Sequence, residues 1–185
     1  MGVEKIGFIG LGAMGDGMTR NLLKAGYAVR GYDIDADATA RLADAGGDAA
    51  SSAAAAAADA DMLIVCVFSA DQAETALFGN DGAVSTLAAG ATVVMSTTMA
   101  PEHARAMAAR LTESGHLFID APVTGGKAGA DAGTLTVIAS GPDAAMAAAD
   151  APFKAMGNRV YCIGVEAGAG SSVKMINQLL VGIHV

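Results

Sequence analysis

Short apolar runs alternate with alanine-rich windows of helical period along most of the chain. The runs predict strands at residues 5–9, 28–33, 62–68, 91–95, 117–120, 134–140 and 160–163. The windows between them predict helices at 14–25, 37–45, 70–77, 101–114, 143–155 and 171–185. Leu63-Ile64-Val65-Cys66-Val67 is an unbroken apolar run, the pattern of a strand covered on both faces. Helices crossing over on each side supply that cover, so the pattern predicts an α/β fold with a doubly wound, mostly parallel sheet. Helix-end chemistry agrees: Gly26 follows the first helical window, Pro101 opens another, and Gly115 closes it. The stretch 51–58 is alanine-rich and predicts a short helical connection rather than a flexible linker.

Composition narrows the function classes. The 185 residues suffice for one large domain, or one domain with part of a second. Hydrophobic residues make up 53%, much of it alanine, and no run reaches the roughly 18 residues of a membrane helix. Residues 1–5 lack the basic-then-apolar layout of a secretory signal, so a cytoplasmic protein with no membrane partner is expected. A net charge of −8 argues against a nucleic-acid partner, which needs clustered cations. It leaves room for an anionic ligand held by backbone amides. Cys66 and Cys162 each lie in an apolar run and are expected to be buried and reduced. His103, His116 and His184 are scattered without metal-ligand spacing, and no metal site is expected.

The chemistry begins at Gly10-Leu11-Gly12-Ala13-Met14-Gly15, between the first strand and the first helix. Gly10 permits the tight turn, Gly12 lets the backbone approach a pyrophosphate, and Gly15 lets the helix pack on the strand. The phosphates then sit at the positive end of the helix. Asp33 ends the second strand eighteen residues past Gly15, close to where a dinucleotide fold places its ribose-binding carboxylate. A carboxylate there accepts from both ribose hydroxyls and repels a 2′-phosphate, and Ile34 rather than arginine follows it. The cofactor expected is therefore NAD rather than NADP. The competing reading is that Asp33 merely ends a strand while Asp35 caps the next helix.

Three further blocks join the glycine loop. They are Asp120-Ala121-Pro122-Val123-Thr124-Gly125-Gly126, then Gly168-Ala169-Gly170 with Lys174, Asn177 and Gln178, and more softly Thr97-Thr98-Met99-Ala100-Pro101. In this order and spacing the chain resembles the β-hydroxyacid dehydrogenases, a family that extends to 6-phosphogluconate dehydrogenase. The resemblance implies a Rossmann-like NAD-binding domain over residues 1–164. Residues 165–185 would begin a long interdomain helix leading to an all-helical C-terminal domain that these residues do not include. The last window ends within an apolar helix, consistent with a fragment or with a tail that docks on another subunit. Cofactor binding with little turnover is accordingly expected of the 185 residues alone, and a homo-oligomer of the complete protein.

The resemblance also implies site roles. Gly10 to Gly15, Asp33, Val67, Phe68, Thr97 and Thr98 would meet the cofactor. Thr124, Gly125 and Gly126 would hold a substrate carboxylate, with Thr124 where most relatives have serine. Lys174 would be the acid/base group, and Asn177 and Gln178, three and four residues on, would orient substrate from the same helix face. The reaction implied is hydride transfer between NAD and a small hydroxy acid, L-threonate-like or 3-hydroxyisobutyrate-like. Lys127 reads as a solvated loop lysine. Two rival readings, a non-catalytic nucleotide-binding module and an imine-reductase-like enzyme, are disfavoured by Lys174.

Overall fold

A computed structural model describes residues 2–183. Its sheet has nine strands: β1 (Lys5–Ile9), β2 (Ala28–Tyr32), β3 (Asp48–Ala49), β4 (Met62–Val65), β5 (Thr92–Met95), β6 (Leu117–Asp120), β7 (Val123–Thr124), β8 (Leu135–Ser140) and β9 (Gly157–Gly164). The helices are α1 (Gly15–Lys24), α2 (Ala36–Asp44), α3 (Ala53–Ala57), α4 (Ala70–Phe78), α5 (Pro101–Glu113), α6 (Gly126–Ala132), α7 (Asp143–Met156) and α8 (Ala169–Ile183). The spatial order is β3-β2-β1-β4-β5-β6-β8-β7, with β9 added on β8. Ladders from β3 to β6 are all parallel, whereas β8 runs antiparallel to β6 and β7.

The sheet divides the core in two, and strand alternation assigns the sides. Phe8, Ile64, Val94 and Ile119 face one layer with Met18 and Leu22 of α1 and Phe153 of α7. Leu63, Val65, Val93 and Met95 face the other with Leu77 of α4 and Met107 and Leu111 of α5. Strands β4 and β5 are buried at every residue, as the unbroken apolar runs required. The alanine stretch forms α3, started by the Ser52 hydroxyl, which accepts from the Ala55 amide.

Several expectations are corrected. The strand expected at 62–68 ends at Val65, which frees residues 66–68 to form the rim of a groove. Residues 123–132, to which the apolar pattern assigns no element, contain β7 and α6. Lys127 is therefore helical, although it is solvated and paired with Asp131 one turn on. The strand expected at 160–163 spans Gly157–Gly164 and lies at the sheet edge, so Cys162 is exposed rather than buried. The helix expected to reach 185 is seen to Ile183; His184 and Val185 lie outside the described residues. Among the described residues no helix is long and apolar enough to cross a membrane.

Candidate functional site

The strand order reverses between β1 and β4: the chain winds outward through β2 and β3, then returns to β4 on the other side of β1. Ligands of open α/β sheets bind at such a point, outside the carboxyl ends of the strands. A groove of about 830 Å³ lies there, lined by Gly10 and Gly12, by Asp33 and Ile34, and by Val67 and Phe68. It continues along Gln72 and Thr75 of α4 and past Ser51 and Ser52.

The glycine loop has the geometry the sequence implies. Gly10 adopts φ +95, and a Cβ there would lie 2.3 Å from the Cys66 carbonyl oxygen. A Cβ on Gly15 would lie 1.9 Å from the carbonyl oxygen of Gly10. Side chains at either point would push β1, the loop and α1 apart. Gly12 is exposed with open space around it. The Asp16 amide donates to the Gly12 carbonyl at 3.0 Å, so the loop runs directly into the first turn of α1. A pyrophosphate fits this cradle, and the helix end favours its charge.

Asp33 does more than end a strand. One carboxylate oxygen accepts from the Leu11 amide at 2.7 Å, the other from the Asp35 amide at 2.9 Å. The acid thus fixes the glycine loop and faces the groove. Asp35 separately caps α2 by accepting from the Asp37 amide, as the competing reading has it. Leu11 contributes through its amide, because its side chain is buried in the core.

Opposite, the Val67 amide donates to the Thr97 hydroxyl at 3.0 Å, and the Phe68 amide donates to the Gln72 side-chain carbonyl. These bonds hold the rim that carries Phe68, 91% exposed, across from Ile34, 86% exposed. Two large apolar side chains on either lip of one groove suit a flat ring between them. Thr97 is buried and reaches the groove only through Val67; Thr98 is exposed and lies beyond the lining residues. Cys66 borders the groove, but burial pushes its thiol up to about 12, so it is an inert wall.

The second cluster forms where β6, β7 and α8 meet. Lys174 is 5% exposed, and its Nζ donates to the Val123 carbonyl at 2.8 Å. The amine is thereby brought beside the Thr124-Gly125-Gly126 segment, although it is 51 residues away along the chain from Val123. Burial lowers the Lys174 pKa below its ordinary 10.5. Asn177 is half-buried one turn later, with its side-chain oxygen out of solvent and lacking a hydrogen-bond partner. Gln178 is exposed. The helix face shared by the three therefore turns Lys174 and Asn177 inward and Gln178 outward. Gly125 and Gly126 are exposed at φ +135 and +62, conformations that glycine adopts without strain.

Sequence reasoning did not anticipate Asp120, Ser140 and Ser171 as a buried cluster beneath Lys174. Asp120 accepts from the Ser171 amide and hydroxyl, both at 2.7 Å. Burial raises its carboxyl above the usual range, while the Ser171 hydrogen bonds oppose that rise. The Asp in the 120–126 block was the available signal.

Comparison with known proteins decides the family. Residues 5–164 match the NAD binding domain of 6-phosphogluconate dehydrogenase. The chain belongs to the β-hydroxyacid dehydrogenase family. It is 43% identical over 182 residues to an L-threonate dehydrogenase of Cupriavidus necator, covering 98% of this chain and 61% of that protein. Its fold superposes with a TM-score of 0.93 on a 3-hydroxyisobutyrate dehydrogenase from Salmonella typhimurium, 39% identical, over 98% of this chain and 63% of that one. A 3-hydroxyisobutyrate dehydrogenase of Mycobacterium tuberculosis, solved with L-serine, gives 0.90 at 31% identity, over 98% and 60% respectively. The chain spans about three-fifths of the length of these curated relatives. The cofactor of the family domain is NAD, and the groove at the glycine loop fits it.

Proposed function

We propose that the protein is an NAD-dependent oxidoreductase that transfers hydride between NAD and a small hydroxy acid. The observation that carries this reading is Lys174, a buried amine beside the Thr124-Gly125-Gly126 segment. The relatives' names support an L-threonate-like substrate first and a 3-hydroxyisobutyrate-like one second. Residues 1–164 form the NAD-binding unit and 165–185 begin the interdomain helix. The complete protein is a cytoplasmic homo-oligomer.

When bound, NAD would supply the hydride acceptor. Gly12 and the start of α1 would hold its pyrophosphate, Asp33 would take the adenosine ribose hydroxyls, and Ile34 and Phe68 would flank the base. Val67, its amide fixed by the Thr97 hydroxyl, would meet the cofactor from the groove rim. Thr124, Gly125 and Gly126 bind the substrate carboxylate, and Asn177, with its unpartnered oxygen, orients the hydroxyl. The Nζ of Lys174 takes the hydroxyl proton as the carbon's hydride departs, leaving a carbonyl, and returns a proton in the reverse direction.

Oxidation needs the neutral amine. Since burial lowers the Lys174 pKa, the amine is available at lower pH than an exposed lysine would be. The turnover rate for oxidation is expected to rise with pH and level off through an ionisation below 10.5, and reduction to show the opposite slope. Steady-state rates across pH check this; a limb at the ordinary lysine value removes Lys174 from the role.

Cofactor choice gives a second test. NAD is expected to bind more tightly than NADP, and Asp33→Ala to narrow the difference while weakening both, since the Leu11 amide loses its acceptor. Titration of both cofactors measures this. Equal affinities in the unaltered protein would remove Asp33 as the discriminating group.

A further inference from the structure

Helix α8 is seated end-on against the sheet by two side chains from neighbouring strands. Asp120 ends β6 and Ser140 ends β8, and the two are cross-strand partners. Asp120 accepts from the Ser171 amide and hydroxyl. The Ser140 hydroxyl accepts from the Gly170 amide at 3.1 Å. The opening amides of a helix have no acceptors of their own, and here the sheet supplies them across 30 and 51 residues of chain. Gly170 makes the approach possible: a Cβ there would lie 2.7 Å from the carbonyl oxygens of both Asp120 and Ile138. Lys174 follows Ser171 by three residues, so it projects from the first turns of a helix whose start is fixed at these points. Its amine meets Val123, three residues past Asp120. The clamp and the amine's anchor therefore belong to one short stretch of chain.

We propose that Asp120, assisted by Ser140, is a positioning residue that sets Lys174 against the substrate-binding segment by fixing the first turn of α8. The inference rests on the assignment of Lys174 as the acid/base group. A buried carboxylate is costly unless it is fully bonded. Here its bonds go to the start of the helix that carries the reactive amine. The charged groups at the junction are few. Arg105 of α5 faces Asp120, β8 has no ionisable side chain, and Arg159, Tyr161 and Cys162 of β9 are exposed. The lowered pKa of Lys174 follows from its burial, which depends on where α8 sits.

The test compares the unaltered full-length protein with Asp120→Asn, Ser140→Ala and Lys174→Ala. Each is measured for NADH binding, for oxidation of L-threonate and 3-hydroxyisobutyrate, and for the pH dependence of turnover. Asn keeps the size of Asp120 but replaces one acceptor with a donor that faces the amides of α8. Asp120→Asn is expected to lower turnover by about 10- to 100-fold, as small misplacements of a reacting group do. NADH affinity should stay within about twofold, because the groove lies elsewhere. The pH limb should move up toward 10.5 as water reaches Lys174, and Ser140→Ala should move it the same way by less. Unchanged turnover and limb in Asp120→Asn, with Lys174→Ala inactive, overturns the positioning role alone. So does a loss of rate that only tracks a loss of NADH-binding protein, with the limb unmoved. If Asp120→Asn does not fold, Ser140→Ala decides by its limb, and an unmoved limb overturns the proposal. An active Lys174→Ala instead overturns the catalytic assignment on which the inference rests.

Discussion

Lys174→Ala is expected to lower turnover of the full-length protein by about 10²–10⁴-fold, the usual cost of a lost acid/base group. The size follows from position. The amine is almost fully buried, bonded to the Val123 carbonyl, and adjacent to the segment proposed to bind the substrate carboxylate. Removing it leaves the hydroxyl proton without an acceptor. NAD affinity should scarcely change, because the contacts proposed for the pyrophosphate and ribose lie at β1, α1 and β2. Lys174→Arg should not restore the rate: guanidinium stays protonated near neutral pH, so it accepts no proton. Turnover and NADH binding measured on the same preparation separate the outcomes. A rate within a few-fold of the unaltered protein would mean another group moves the proton. Loss of NADH binding together with rate would mean the lysine is structural.

Gly10→Ala is expected to be the most damaging single change to cofactor binding. Alanine at φ +95 adopts a backbone region that costs about 1–3 kcal/mol. The added methyl would also meet the Cys66 carbonyl oxygen at 2.3 Å, so β1 and β4 must separate at their carboxyl ends. Those ends carry the groove. Since about 1.4 kcal/mol is tenfold in affinity, strain alone gives a loss of roughly 5- to 150-fold if it falls on the bound loop. The melting temperature should fall as well. Calorimetric NAD titration and thermal unfolding test this together, and a variant that binds NAD normally would contradict the close packing of the loop on β4.

The fold was legible where local and long-range signals agree. The parallel strands show as apolar runs, and the helices between them carry recognisable starts and stops. Its misses have physical causes. Strand β7 has two residues and forms because Thr124 pairs with Thr136 across the sheet, which no local pattern announces. Helix α6 follows Gly125, begins at Gly126 and contains Gly129, a poor helix sequence by propensity. It is held by α1: Asn21 donates to the Ala130 carbonyl, and Gly17 lets the two helices approach. Strand β9 reads as a core strand because Val160 to Ile163 are nearly all apolar, yet among the described residues it pairs with β8 on one side alone.

The candidate site divides in the same way. The glycine loop and Asp33 are contiguous in their logic, so spacing alone locates them. Lys174, Asn177 and Gln178 are visible as a helical triad, but which members face inward depends on how α8 is seated. That seating depends on Asp120, Ser140 and Gly170, which become neighbours only after β6 and β8 pair. For Thr97 the motif does not show that its hydroxyl accepts from the Val67 amide, a contact that forms only once β4 and β5 pair.

The most direct measurement is NADH formation by the full-length protein with a panel of small hydroxy acids, run with NAD and with NADP in parallel. A hydroxyacid NAD oxidoreductase should reduce NAD with at least one member, L-threonate or 3-hydroxyisobutyrate foremost, and favour NAD over NADP. Tight NADH binding with no turnover of any hydroxy acid in either direction would contradict the proposal and leave a nucleotide-binding module in its place.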